Sequence, residues 1–216
     1  MSIRCLVILL VLSACGDASL QDFSASSLSL QAPAAAGRVV VRLGDAGANC
    51  LTLGSQVRAT LNGAPMQIDS RGGELATGDG WICQSPQFSV ELAEIPSACD
   101  AELVLEDESA RVRMDAQNVF AARTLEPTRF DEDGRRIEFR WSPQTDRSRS
   151  ASWQLSSGSR PVFGEATIEG ELVSLELPAE GGTLRMSGEA DAPVLRCEGV
   201  ALCAARVSVT SGDLAL

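Results

Sequence analysis

The side chains that could do chemistry in this 216-residue chain are carboxylates, hydroxyls, thiols and guanidinium groups. The chain has 29 acidic residues and 18 basic ones, all arginine, and it contains no histidine, lysine or tyrosine. Without histidine and lysine, a Ser-His-Asp triad, a Schiff-base lysine and a P-loop lysine are all excluded. The Asp-Thr-Gly and Gly-x-Ser-x-Gly signatures are absent as well. The composition therefore predicts that the protein is not an enzyme.

Clustered carboxylates are the acid–base and metal-binding groups that remain. Asp131 and Asp133 lie just before Gly134, and an oxygen-rich loop of this kind can bind Ca²⁺. The EF-hand pattern is not met, so we expect no cofactor and favour a solvated acidic turn over a Ca²⁺ site. A glycosidase would need two close carboxylates. The candidates are Asp131 with Asp133, or a group of glutamates: Glu165, Glu169 and Glu171.

Trp81 ends a glycine-rich stretch, residues 72–81, that matches neither the dinucleotide-binding nor the P-loop fingerprint. An exposed indole at this point would be a binding platform for a sugar ring or a partner protein. The alternative is a Trp81 ring that packs beside a disulfide at Cys83, and we favour this structural interpretation.

The first fifteen residues are typical of an export signal. Arg4 precedes an apolar run, residues 5–12, that is too short for a bilayer span of about 20 residues. Leu12-Ser13-Ala14-Cys15 follows and resembles the lipobox of bacterial lipoproteins. The resemblance implies cleavage before Cys15 and its lipidation, which is a firm membrane anchor; the alternative is an ordinary signal peptide. Gly16 replaces the Asp that favours inner-membrane retention, so the resemblance favours the outer membrane.

Disulfides are expected in an exported chain. Five cysteines follow the lipobox, so at least one stays unpaired. Short separation favours a Cys197–Cys203 bridge. For the second bridge we prefer Cys50–Cys83, with Cys83–Cys99 as the alternative. Cys99 is then left over, and without a basic neighbour it is expected to be unreactive.

Polar and apolar residues alternate along most of the chain past residue 37, which predicts short β-strands and no helix. The pattern Ile137-x-Phe139-x-Trp141, followed by Trp153-x-Leu155, resembles strands B and C of fibronectin type III domains. We therefore expect an all-β fold of two tandem immunoglobulin-like or fibronectin-like β-sandwich domains.

The expected organisation has four parts. Residues 1–14 are the signal peptide, and residues 15–36 are the lipidated cysteine with a flexible tether rich in Ser and Ala. Residues 37–125 form the first sandwich domain. A break at Glu126-Pro127 opens the second domain, residues 126–216.

The net charge of −11 and a pI near 4.5 argue against nucleic acid as a partner. We expect a membrane-anchored lipoprotein of the cell envelope, facing the periplasm or the cell surface. Its expected role is non-catalytic binding or scaffolding, with an envelope protein or a glycan as partner. The alternatives are a carbohydrate-active protein and a calcium-stabilised adhesion module.

Overall fold

The computed structural model describes residues 17–44, 50–78, 80–94, 96–131, 136–144, 146–157, 160–178 and 181–216. Over these ranges the chain consists of β-strands and loops, apart from one 3₁₀ turn at Leu20–Phe23. The expected all-β class is confirmed. Within the same ranges, no helical segment has the length and apolar character of a membrane span.

Three sheets account for the strands of the described residues. In chain order the strands are β1 (Ser27–Pro33), β2 (Gly37–Leu43), β3 (Arg58–Leu61), β4 (Ala64–Pro65), β5 (Gln67–Thr77), β6 (Gly80–Leu92), β7 (Ala101–Glu106), β8 (Arg111–Ala116), β9 (Thr124–Phe130), β10 (Arg136–Ser142), β11 (Arg147–Ser157), β12 (Arg160–Glu165), β13 (Thr167–Glu169), β14 (Leu172–Glu176), β15 (Thr183–Ala192), β16 (Val194–Glu198), β17 (Leu202–Thr210) and β18 (Leu214–Ala215).

The largest sheet has nine strands and runs through both halves of the chain. Its order is β12-β11-β15-β17-β1-β2-β6-β5, with β18 paired to β15. Most neighbours are antiparallel, but β1 and β17 run parallel, with Ser27 opposite Leu202. A four-stranded sheet has the order β13-β14-β10-β9, and a five-stranded sheet has the order β16-β8-β7-β3-β4.

Two apolar clusters pack the long sheet against the two smaller ones. The first joins β1, β2 and β6 to the five-stranded sheet and includes Phe23, Phe88 and Met114. The second joins β11 and β15 to the four-stranded sheet and includes Trp141. A Cβ on Gly188 of β15 would lie 2.1 Å from Cζ3 of Trp141. The indole therefore packs directly on the β15 backbone, where only glycine fits.

The prediction of a flexible tether at residues 15–36 is wrong from Ala18 onward. Leu20 and Phe23 are fully buried in the 3₁₀ turn, and β1 lies in the middle of the long sheet. The burial of β1 alternates, with Leu28 and Leu30 in the core and Ser29 on the surface. Serine and alanine suit this strand because its outer face meets water and its inner face is crowded.

The proposed domain boundary at residue 126 stays a prediction. After this boundary the chain returns to the first cluster, which the prediction did not include. The chain first leaves the first cluster between β8 and β9. Strand β16 then pairs with β8, while Ala205 and Val207 of β17 lie in the first cluster. Val209 of the same strand lies in the second cluster. Without these late strands, β1 and β8 would each have an unpaired edge; β17 pairs with β1 and β16 pairs with β8.

A buried ion pair lies where the chain crosses between the clusters. Nε and Nη2 of Arg123 donate to the two carboxylate oxygens of Asp146 at 2.8 and 3.1 Å. Nη1 donates to the carbonyls of Asn118 and Ala121, and Trp141 Nε1 donates to Asp146 at 3.0 Å. The Arg123 and Asp146 side chains are only 1% and 7% exposed. The pair therefore joins the crossing segment to the core residue Trp141.

Both preferred disulfides are confirmed. Cys50 and Cys83 are bonded, with 5.2 Å between their Cα atoms, and so are Cys197 and Cys203, with 5.7 Å. Cys99 is free and exposed, as the preferred pairing requires.

Candidate binding surface

The outer part of the β5–β6 hairpin carries apolar side chains in water. Leu75 is 48% exposed, Trp81 is 70% exposed and Ile82 is 51% exposed. Leu75 pairs with Ile82, and Trp81 pairs with Ala76 one position along the ladder. Because neighbouring ladder positions point to opposite faces, the hairpin shows apolar groups on both sides. Trp81 is thus exposed to solvent, as a binding platform requires, and packing of its ring beside the Cys83 bridge stays a prediction.

The base of this hairpin is held in three ways. The Cys50–Cys83 bridge joins β6 to the segment that precedes β3. Thr52 forms an antiparallel bridge with Gly72, and Leu53 N donates to the carbonyl of Arg71 at 2.7 Å. Gly72 has φ +80°, and a Cβ there would lie 2.9 Å from two backbone oxygens. The exposed hairpin is thus fixed to the fold by a covalent bond and a close backbone contact.

The first described residues attach to the same base. Ala18 N donates to Thr52 O at 2.7 Å, and Gly54 N donates to Ala18 O at 2.9 Å, which makes a parallel bridge between Ala18 and Leu53. The following 3₁₀ turn is held by Asp107, whose carboxylate accepts from Leu20 N at 2.7 Å. The chain therefore enters its fold beside the exposed hairpin.

The Asp107 carboxylate also closes its own turn. Its other oxygen accepts from the backbone amides of Ser109 and Ala110 at 2.8 and 2.9 Å. Burial opposes ionisation, but these hydrogen bonds and the one from Leu20 outweigh it and lower the pKa of Asp107 below 3.8. The entry point of the chain is consequently fixed by a carboxylate that is ionised at neutral pH.

The acidic turn is described only in part, since Asp133 lies outside the described residues. Asp131 lines a cavity of about 260 Å³ together with Arg129, Arg136 and Glu138. Among the described residues no group of three or more metal-binding side chains comes together. Two guanidinium groups beside Asp131 would repel a divalent cation, and the Ca²⁺ site stays a prediction.

A second cavity, of about 640 Å³, opens beside β11, β15 and β17. Its lining includes Arg149, Glu165 and Glu189 and several serines. The Arg149 guanidinium lies 5.8 Å from the Trp141 ring centre and donates to the carbonyl of Gly170. Its Nη1 atom is buried without a hydrogen-bond partner in the described part of the chain. Of the three glutamates that we proposed for hydrolysis, only Glu165 lines this cavity.

Sequence reasoning found Trp81 and Glu165 but missed Arg149 and Glu189. Glu189 reaches the cavity because β15 pairs with β11, which sets it opposite Ser150. The amino-acid sequence alone did not predict the pairing register of β11 and β15, because both strands alternate regularly and fit several alignments.

No family model and no curated protein matches the chain. Several solved structures resemble it at low identity. The extracellular region of plexin A4 is 11% identical over 71% of this chain and 12% of that chain, with a TM-score of 0.39. A cytokine receptor complex is 11% identical over 88% and 94% of the two chains, with a TM-score of 0.34. The FN1–FN3 domains of chicken CNTN1 are 8% identical over 80% and 67%, with a TM-score of 0.27.

The CNTN1 domains are named FN1–FN3, and a further neighbour consists of the N-terminal eight Ig domains of Down Syndrome Cell Adhesion Molecule. The chain spans 12% of the plexin chain and most of the cytokine receptor chain. With TM-scores of 0.39 and lower, the likeness carries no argument about function.

Proposed function

We propose that this protein is a membrane-anchored envelope lipoprotein that acts as a non-catalytic binding or scaffolding module through its β5–β6 hairpin. The observation that carries the binding role is the exposure of Leu75, Trp81 and Ile82 on a hairpin whose base is fixed. Exposed apolar groups grouped in this way are typical of interaction sites. A fixed base also means that contact would cost little ordering of the backbone.

The lipobox resemblance at Cys15 supports the anchor and the address. Gly16 after the cysteine supports the outer membrane, with the body in the periplasm or at the surface. Only two residues separate Cys15 from Ala18, where the fold begins. The proposed anchor would therefore hold the folded body close to the membrane, without the long tether that composition predicted.

Substitution at the lipobox tests the anchor. We expect Cys15→Ala to move the protein from the membrane fraction to the soluble fraction, because it removes the only lipid attachment site in the motif. Cys5→Ala, inside the apolar signal run, is the matched control and should leave the protein in the membrane fraction. Membrane association that survives Cys15→Ala would overturn the lipoprotein proposal.

Photo-crosslinking tests the contact surface. A photoreactive residue at position 81 should form a defined adduct in intact cells, identified by mass as protein, glycan or lipid. The same residue at position 163 is the control, because Phe163 is 66% exposed but lies on β12 at the opposite edge of the long sheet. Equal adduct formation at both positions, or none at position 81, would refute the hairpin as the binding surface.

Carbohydrate chemistry is the second candidate function. Trp81 could stack on a sugar ring, and the larger cavity brings Glu165 and Glu189 together with Arg149. If the protein hydrolyses an oligosaccharide and both Glu165→Gln and Glu189→Gln abolish this activity, the carbohydrate-active candidate is favoured over the binding module. A rise in melting temperature on addition of Ca²⁺ would instead favour a calcium-stabilised adhesion module.

A further inference from the structure

We infer that the partner of the β5–β6 hairpin is the lipid bilayer that holds the acyl chains of Cys15. This inference rests on the proposed anchor and names the partner of the proposed contact surface. The hairpin would add a second, non-covalent membrane contact next to the lipid.

The direction of the backbone supports this inference. Strand β5 runs outward from Gly72 to Thr77, and the segment containing Thr52 runs antiparallel to it. Ala18 pairs in parallel with Leu53 of that segment. At Ala18 the backbone, read toward lower residue numbers, therefore runs in the direction of the exposed end of the hairpin.

The covalent reach of the chain is consistent with that direction. Cys15 is three residues before Ala18, so their Cα atoms are at most about 11 Å apart. Leu75 is four residues beyond Arg71, the residue level with Leu53, which is roughly 13 Å along the strand. The two lengths are comparable, so the covalent reach of the chain allows acyl chains on Cys15 to enter the bilayer near the level of the apolar side chains.

The chemistry of the hairpin fits a membrane interface. Tryptophan is enriched at the level of lipid headgroups, where its apolar ring and polar N–H are both satisfied. Leu75 and Ile82 are exposed on the face opposite Trp81, so either side of the hairpin can contact acyl chains. A lipid chain combined with a second apolar contact also binds membranes more firmly than one signal alone.

Charge argues that this contact is apolar rather than electrostatic. The chain carries a net charge of −11, and loss of Arg4 with the signal makes it one unit more negative. Such a body is repelled by anionic lipid, and Glu74 adds a negative charge on the hairpin itself. Membrane contact through the hairpin should therefore persist when salt is raised, because salt screens only the repulsion.

Tryptophan quenching tests the inference. The full-length protein, purified from the membrane fraction, is reconstituted into vesicles of phosphatidylethanolamine and phosphatidylglycerol with acyl chains brominated near the headgroup. Trp141 and Trp153 are buried, so Trp81 emission is obtained as the difference from Trp81→Phe. We expect bromolipid to quench this emission and acrylamide quenching of it to fall roughly threefold, since a tryptophan at the interface is shielded from water.

A displaced tryptophan provides the control. The double variant Trp81→Phe/Phe163→Trp moves the exposed indole from β6 to β12 at the opposite edge of the sheet, six strand spacings or about 29 Å away. That indole should stay accessible to acrylamide and unaffected by bromolipid. Wild-type protein that floats with the vesicles but keeps Trp81 open to acrylamide would refute the bilayer contact alone. Wild-type protein found in the soluble fraction would refute both the contact and the anchor.

Discussion

Arg123 and Arg185 each hold a carboxylate with two nitrogens, at similar distances but in different surroundings. Arg123 binds Asp146 at 2.8 and 3.1 Å with both side chains almost fully buried. Arg185 binds Asp213 at 2.8 and 3.0 Å with side chains 57% and 53% exposed. Because the nitrogen–oxygen distances of the two pairs are similar, a difference in their contribution to stability reflects their surroundings and not the distance.

We expect Asp146→Asn to lower the free energy of unfolding by about 3–5 kcal/mol, because it leaves a charged guanidinium buried without its counter-charge. Asp213→Asn, the matched exposed variant, should change it little, since water solvates the freed Arg185. Urea denaturation followed by circular dichroism measures both. Similar losses in the two variants would show that burial does not control the strength of the Arg123 pair.

At the scale of single residues, sequence reasoning found groups with a local signal. Short separation predicted the Cys197–Cys203 bridge, Cys50–Cys83 was the preferred one of two alternatives, and Trp81 was recognised as a candidate platform. The Arg123–Asp146 pair was missed because its partners lie 23 residues apart in irregular segments, where no periodic pattern relates them. The exposure of Trp81 could not be foreseen either, because it depends on how far β5 and β6 extend beyond their neighbours.

At the scale of elements, β1 shows how composition can hide a strand. Residues rich in serine and alanine predicted a tether, yet Leu28, Leu30 and Ala32 alternate with polar residues and are buried. The period of two was present in the sequence. The local pattern did not identify the pairing partner of β1, because β17 lies far from β1 in the sequence.

Substitutions in β1 distinguish a core strand from a tether. We expect Leu30→Ala to cost about 2–5 kcal/mol of stability, because Leu30 is 1% exposed in the first cluster. Ser29→Ala, its exposed neighbour, should be nearly neutral. Thermal melts of the two variants provide the measurement. Rapid proteolysis of the folded protein between residues 20 and 33, or a Leu30→Ala variant of unchanged stability, would support a flexible tether instead of a core strand.

At the scale of the whole molecule, β17 ties the two clusters together. Val207 lies in the first cluster and Val209 in the second, two residues apart on one strand. The same sheet continues across both. Alternation predicted the all-β class, but the strand order depends on pairing between distant segments and could not be derived from local patterns.

This sharing predicts one cooperative unfolding transition. Val207→Ala and Val209→Ala should each lower its midpoint, at a cost of about 2 kcal/mol for the lost methyl groups. Differential scanning calorimetry is the measurement, with calorimetric and van't Hoff enthalpies expected to agree. Two resolved transitions, each sensitive to only one of the substitutions, would show that the clusters unfold independently.

The parallel pairing of β1 with β17 also affects the order in which the fold can form during synthesis. Ser27 is synthesised long before its ladder partner Leu202. Until then β1 lacks one of its two neighbours, and contacts of such long sequence separation form slowly. The long sheet is therefore complete only once β17 has been made. That delay would suit export through a translocation pore, which the proposed lipoprotein signal requires.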